Sequence, residues 1–177
     1  MKKQFIKVSF TLLSLFSLFN MEAQTNISPE YTEVKKTIEQ SIGWAIGKDF
    51  DAMFQLWGVD MLDFWLTSNS LCIGLDNFKV RAEAWKDPDF RGTRFEFKDL
   101  RITFSQSGDV AWYSCFIDDC TSYKGKESCA ENVFRTGVLE KRNGKWVHVL
   151  AHGSYPVDKI PEDYIRKYYP GLFEKEK

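Results

Sequence analysis

Gly108 to Tyr155 reads GDVAWYSCFIDDCTSYKGKESCAENVFRTGVLEKRNGKWVHVLAHGSY, and two turn signals cut it into three strands. Lys124-Gly125 and Asn143-Gly144 are two-residue hairpin dipeptides. Asn-Gly in particular accepts the two positive φ angles that a right-twisted hairpin requires. Apolar and polar residues alternate on either side of the turns. This predicts strands over Val110 to about Tyr123, Lys126 to Arg142, and Lys145 to about Tyr155. Three long strands joined by tight turns make an antiparallel meander, which needs a second layer to cover its apolar face.

Upstream, Arg94 to Phe104 alternates as a further strand, with a slip of phase near Asp99-Leu100 that predicts a bulge. Met61–Leu66 and Leu71–Gly74, separated by Ser68-Asn69-Ser70, read as a short hairpin. Before these come helices. Ser28-Pro29-Glu30 starts the first, with Ser as cap, Pro in the first turn and an acid beside the positive helix end. Tyr31, Val34, Ile38, Ile42 and Ala45 recur at helical spacing as far as Gly47. Asp49 starts a second short helix with Phe50, Met53, Phe54 and Trp57 on one side. Asp76 starts a third, with Phe78, Ala82 and Trp85, which Pro88 ends. Helices first and a strand meander after predict an α+β domain, with the helices packed on one face of an antiparallel sheet.

Residues 1–24 stand apart. Lys2, Lys3 and Lys7 precede an apolar run from Val8 to Phe19, and Ala23 offers a small residue at a cleavage point. The run is shorter than the ~20 residues a membrane-spanning helix needs. It therefore reads as a signal peptide, with export to the periplasm or medium and no membrane after cleavage. Residues 25–177 remain as a single domain, large enough to bury a core. The net charge of −1 and the lack of a basic stripe argue against nucleic acid as a partner. Aromatic residues make up 16% of the chain, a high share that must line something, either a core or a pocket. Neither a phosphate-binding loop nor a nucleophile elbow is present, and the cysteine spacing matches no zinc pattern. No cofactor or metal is expected.

Turn positions set strand register. Counting back from Lys124-Gly125 places Cys120 opposite Cys129, close enough for a disulfide in an oxidising compartment, and leaves Cys72 and Cys115 as small core residues. The same count places Asp118 opposite Glu131. Like charges across a strand pair repel, so this pair reads either as a site with a raised carboxyl pKa or as a solvated rim. Counting from Asn143-Gly144 places Arg135 between Ser114 and His152. One face then holds Trp112, Phe116, Asp118, Glu131, Arg135, His148 and His152, a mixture suited to a pocket. His152 reads either as an acid–base group or as a structural hydrogen-bonding one. His148, four residues away along the same strand, lies too far off to share a metal with it. The other face holds Cys115, Ile117, Phe134, Val138 and Val147, and is expected to be covered by a second copy or another element.

Several stretches together carry a resemblance. They are Trp44-Ala45-Ile46, Ile73 to Lys79, Gly108 to Trp112, Glu131 to Lys141, and Asn143 to Val147 running on to His152-Gly153-Ser154. As a set they resemble the SnoaL-like family of the nuclear-transport-factor-like superfamily, over roughly Glu30 to Tyr155. The resemblance implies a cone: a curved antiparallel sheet wrapped around the N-terminal helices, with a cavity at its open end and homodimers formed through sheet faces. It further implies cofactor-free chemistry in the catalytic members, in which a pocket carboxylate or His acts as the base. Asp118, Glu131 and His152 are the candidates of the right type here, and Asp63 is an earlier carboxylate. The leading expectation is an exported protein that binds a small apolar or amphipathic molecule. Trp44, Trp57, Trp65, Trp112 and Phe116 would form walls, and Glu131, Arg135 and His152 would orient the ligand. Alternatives are a cofactor-free isomerase, cyclase or hydrolase, and a dimeric interaction module whose cone is filled by its own side chains.

Overall fold

A computed structural model describes residues 28–65 and 70–156, without the side chains of Trp65 and Ser70. The signal-peptide reading of 1–24, the turn at Ser68-Asn69 and a closing helix expected over Ile160–Tyr168 lie outside the described residues. Helix α1 (Pro29–Gly47) starts as its sequence dictates, with Ser28 Oγ accepting from Tyr31 N at 3.1 Å. It ends on Lys48 in the left-handed region, φ 54°. Helix α2 (Phe50–Gln55) is capped by Asp49, whose Oδ1 accepts from Ala52 N. It stops before Trp57, which opens strand β1 (Trp57–Trp65) instead of extending the helix. Strand β2 (Ser70–Ile73), helix α3 (Leu75–Ala82) and a 3-10 turn (Glu83–Lys86) follow. The remaining strands are β3 (Phe90–Phe104), β4 (Val110–Tyr123), β5 (Lys126–Arg142) and β6 (Lys145–Ser154).

The six strands form one open sheet in the order β2-β1-β6-β5-β4-β3. Every neighbouring pair is antiparallel except β1 and β6, which run parallel. Both hairpin dipeptides adopt positive φ at both residues: 51° and 75° at Lys124-Gly125, 50° and 77° at Asn143-Gly144. The bulge expected in β3 is present, with Asp99 at φ 51° and the register shifting between Lys98 and Arg101.

Helix α1 lies across the concave face. Its fully buried Val34 and Ile38 meet Tyr113, Cys115, Ile117, Val133 and Leu139 from β4 and β5. Burial of each such side chain is worth about 1.5–3 kcal/mol. A second cluster, built on Met53, Trp57, Met61, Phe78 and Ala151, joins α2 and α3 to β1 and β6. The approach of α1 to β3 is close. A Cβ at Gly92 would stand 2.9 Å from the Ala45 backbone, so only glycine fits there.

Candidate ligand-binding site

Two bulges, one in β5 and one in β6, decide which side chains face the concave side. Near the turn, Cys120 pairs with Cys129 as expected, and the two form a disulfide with Cα atoms 4.1 Å apart. Beyond it the ladder slips by one residue, so that Ile117 pairs with Val133 and Cys115 with Arg135. Asn132 is the extra residue, in the left-handed region at φ 53°, which Asn tolerates better than most residues. Its N–H donates to Asp118 Oδ1 at 2.8 Å, and Lys98 Nζ lies 2.6 Å from Asp118 Oδ2. The expected Asp118–Glu131 pair is therefore not formed. Asp118 instead holds the bulge closed, and its carboxyl sits below the usual range because Lys98 and then the Asn132 amide stabilise the anion. A second slip, between Leu139–His148 and Val138–Leu150, puts His148 and His152 on opposite faces. The faces assigned from turn counting are thus corrected beyond each bulge, because one inserted residue inverts every side chain that follows.

The concave floor is now legible. One row across the sheet runs Asp63, Ala151, Gly137, Tyr113, and the next contains Gly153, Arg135 and Cys115. The small residues at 137, 151 and 153 leave room for the Arg135 side chain, which is only 2% exposed. Its Nε donates to Tyr113 Oη at 3.1 Å, and its Nη2 lies 3.5 Å from Ser41 Oγ on α1. Asp63 is equally buried and forms a 2.8 Å ion pair with Arg81 of α3. His148 is fully buried between Trp57 and Tyr113, with ring centroids at 4.8 and 5.8 Å. Burial, reinforced by the Arg135 charge, pushes its pKa down to about 3, so its ring is neutral. The Cys115 thiol is pushed up to about 11 by burial and stays protonated.

Above this floor lies a cavity of about 330 Å³. Its walls are Trp44, Trp57, Phe78 and Trp85. Ser41, Asp63 and Arg135 form its buried end, while Phe90, Thr121 and Ser128 sit at the outer rim with Tyr155 and Asp119 also lining it. Asp119 carries a carboxyl raised above the usual range by burial, which outweighs the nearby Arg135 charge. Of the residues expected around a pocket, Trp44, Trp57 and Arg135 line this cavity. Trp112, Phe116, Glu131 and His152 do not. Trp112 and Phe116 stand on the convex face, where Phe116 packs on Phe134 at 5.3 Å. His152 stacks there on Phe64 at 5.3 Å, and Glu131 is exposed. Trp65 ends β1, its side chain outside the described residues. Counting from the turns missed Asp119, Tyr113 and Ser41; the one available signal was Asn132, a residue suited to positive φ inside an otherwise regular strand. Among the described residues no cluster of His, Cys, Asp and Glu has the makings of a metal site.

Comparison with known proteins accounts for this architecture. Three solved structures share it. The first is a putative scytalone dehydratase from Novosphingobium aromaticivorans (16% identity, 72% of this chain and 84% of that one, TM-score 0.64). The second is an NTF2-like protein with a cystatin-like fold from the same species (14% identity, 83% and 94%, TM-score 0.58). The third is the CamKII hub homology domain of Chlamydamonas reinhardtii (17% identity, 71% and 96%, TM-score 0.57). At such identities the likeness speaks for the fold. Among curated proteins none matches. A family profile described as a SnoaL-like domain matches residues 34–158, from the buried face of α1 to just beyond β6. That span contains every residue found to line the cavity, and the chain belongs to the SnoaL-like domain family.

Proposed function

We propose that this protein binds a small amphipathic molecule in its cone and does so outside the cytoplasm. The observation that carries the reading is the cavity itself: aromatic walls, a volume suited to one or two fused rings, and buried polar groups at one end. Ligand sites have this composition, apolar surface for affinity with a few fixed polar groups for orientation. Export is supported by the basic and apolar leader of residues 1–24 together with the Cys120–Cys129 disulfide, a bond that persists in oxidising compartments. Titration with Prodan, a neutral dye built on two fused rings, tests binding. One dye per chain is expected, lost in Ser128→Trp, where an exposed rim residue is enlarged to plug the mouth. Dye binding that Ser128→Trp leaves untouched places the dye elsewhere and overturns the reading.

A second reading is favoured by Asp119. A cavity carboxyl raised by burial is suited to proton transfer, as in the cofactor-free isomerase alternative. Deuterium uptake at the α-carbons of 2-tetralone, slowed at least tenfold by Asp119→Asn, would support it; equal rates in both proteins would end it.

The convex face supports assembly with a second copy. Phe64, Trp112, Phe116, Phe134 and Leu150 are each 37–47% exposed and stand on that one sheet face, an apolar patch of the kind that marks an interface. Sedimentation equilibrium is expected to give twice the chain mass, falling to the chain mass in Trp112→Lys/Phe134→Lys. A monomeric parent protein would refute the assembly.

A further inference from the structure

The Cys120–Cys129 bond sits in the wall of the cavity. The strand pairs on either side of it are Asp119 with Ala130 and Thr121 with Ser128, and all four of those residues line the cavity. Side chains alternate along a strand, so the sulfurs stand on the outer side of the wall while their neighbours face inward. The two sulfurs are not equivalent. Cys120 is 1% exposed and is covered from β3, where its cross-strand partner Arg94 donates from Nη2 to Cys120 Sγ at 3.4 Å. Cys129 is exposed. Strand β6 pairs with β5 only as far as Phe134, and among the described residues Lys126 to Val133 have β4 as their sole neighbouring strand. Phe116, the nearest β4 residue of the apolar patch, is four residues from Cys120, ~13 Å along the strand, so the bond lies beyond the face that supports assembly.

We propose that this bond is a thiol-exchange site, opened from outside the cone by a dithiol, and that its redox state sets how tightly the cone holds a ligand. A thiolate of the dithiol attacks Cys129 Sγ, the exposed atom. The bond between the two cysteines breaks, and its electron pair leaves on Cys120 Sγ. There the Arg94 guanidinium stabilises the thiolate, and a sulfur beside a cation is the better leaving group. The second thiolate of the dithiol then attacks its partner sulfur in the mixed disulfide, closes a cyclic disulfide and releases Cys129 Sγ. Two electrons pass from the dithiol to the protein, and its two protons end on Cys120 and Cys129. The coupling to affinity rests on the reading of the cone as a binding site. With the bond open, the strand pair that carries Thr121 and Ser128 loses its cross-link, and a ligand must order that rim as it binds. Linkage is reciprocal: the factor by which reduction weakens binding is the factor by which bound ligand protects the bond at equilibrium.

Reduction of the folded protein by dithiothreitol at neutral pH, followed by alkylation and peptide mass mapping, tests the exchange. Arg94→Gln is expected to be reduced at least threefold more slowly than the parent, and Arg94→Lys to recover part of the rate by keeping the charge. The lone Cys129 thiol of Cys120→Ser should alkylate at least tenfold faster than the lone Cys120 thiol of Cys129→Ser. Equal reduction rates in parent and Arg94→Gln, or equal alkylation of the two thiols, would overturn the exchange site. Prodan affinity is then measured with the bond closed and open, well below the melting temperature of the reduced protein. The reduced protein is expected to bind at least threefold more weakly, and saturating Prodan to shift the equilibrium with dithiothreitol by the same factor. Equal affinities in the two states overturn the coupling while the cone remains a binding site. If the oxidised protein binds no Prodan, the cone reading and the coupling fail together, and the Arg94 and alkylation rates still decide the exchange site.

Discussion

Gly137→Ala tests how the fold shapes the site. A Cβ built on Gly137 falls 2.5 Å from Tyr113 Cε1, 2.9 Å from Tyr113 Cζ and 2.7 Å from the Leu150 carbonyl oxygen. Carbon atoms in contact prefer about 3.5–4.0 Å, so something has to move by nearly an ångström. The Leu150 oxygen belongs to the β5–β6 ladder, where Val138 and Leu150 pair. Tyr113 is 3% exposed, packed edge-on to His148 at 5.8 Å and bonded to Arg135 Nε at 3.1 Å. Overpacking a filled core costs about 1–3 kcal/mol, and the backbone contact puts this case near the top of the range. Moving the Tyr113 ring also gives up a hydrogen bond to a buried charge, about 1.5 kcal/mol or more. The expected loss is about 4 kcal/mol. At roughly 2–4 °C per kcal/mol for a domain of this size, the melting temperature falls by roughly 8–16 °C. Thermal and urea unfolding followed by circular dichroism would measure it. Tyr113→Leu completes a double-mutant cycle: with the ring gone, Ala at 137 should cost at least about 1.5 kcal/mol less than it does in the parent protein. A Gly137→Ala protein melting within about 2 °C of the parent, or a strictly additive double mutant, would refute the argument.

Three other outcomes follow from the same geometry. The disulfide closes a loop with a sequence separation of 9, which corresponds to about 2.6 kcal/mol of chain entropy. Cys120→Ala/Cys129→Ala should therefore melt several degrees lower, as should the parent protein in reductant, and the absence of any shift would show that the cross-link adds nothing to the hairpin. Asp118 and Asp119 are neighbours with opposite linkage. The depressed pKa of Asp118 means its stabilisation is present above the ordinary aspartate value and lost as pH falls through its lower folded value. The raised pKa of Asp119 means its cost is absent below the ordinary value and grows as pH rises toward its higher folded value. At neutral pH, Asp118→Asn should lower the melting temperature and Asp119→Asn should raise it, with the Asp119→Asn gain vanishing in acid; effects of the same sign at neutral pH would contradict the two assignments. Arg81→Met leaves the Asp63 carboxylate buried beside an apolar side chain, and the loss of a buried ion-pair partner costs about 3 kcal/mol or more. Urea unfolding would measure that, and a cost below about 1 kcal/mol would mean that Asp63 does not depend on Arg81.

Local chemistry was enough to read the elements of this fold. Ser28-Pro29 and Asp49 start helices because their side chains satisfy the first free amides, and Lys124-Gly125 and Asn143-Gly144 form turns because those residues accept positive φ. The Cys120–Cys129 bond lies between the turn and the bulge, where counting still holds. The inventory of the site was readable only in part: Trp44, Trp57 and Arg135 were identified as lining residues, while Asp119 and Tyr113 were not. The reason is physical. A strand alternates with period two, so one inserted residue exchanges the two faces for everything beyond it, and Asn132 and the slip near Val149 each insert one. What stabilises the Asn132 bulge is a contact between Lys98, Asp118 and Asn132, three residues from three strands, and no local stretch of sequence records that meeting. The residues themselves determined the helices, the turns, the disulfide and the family likeness. Tertiary structure alone decided that Arg135 shares its face with Tyr113 and Cys115 and that His152 points away from it, because a side chain's face is set by the pairing of distant strands.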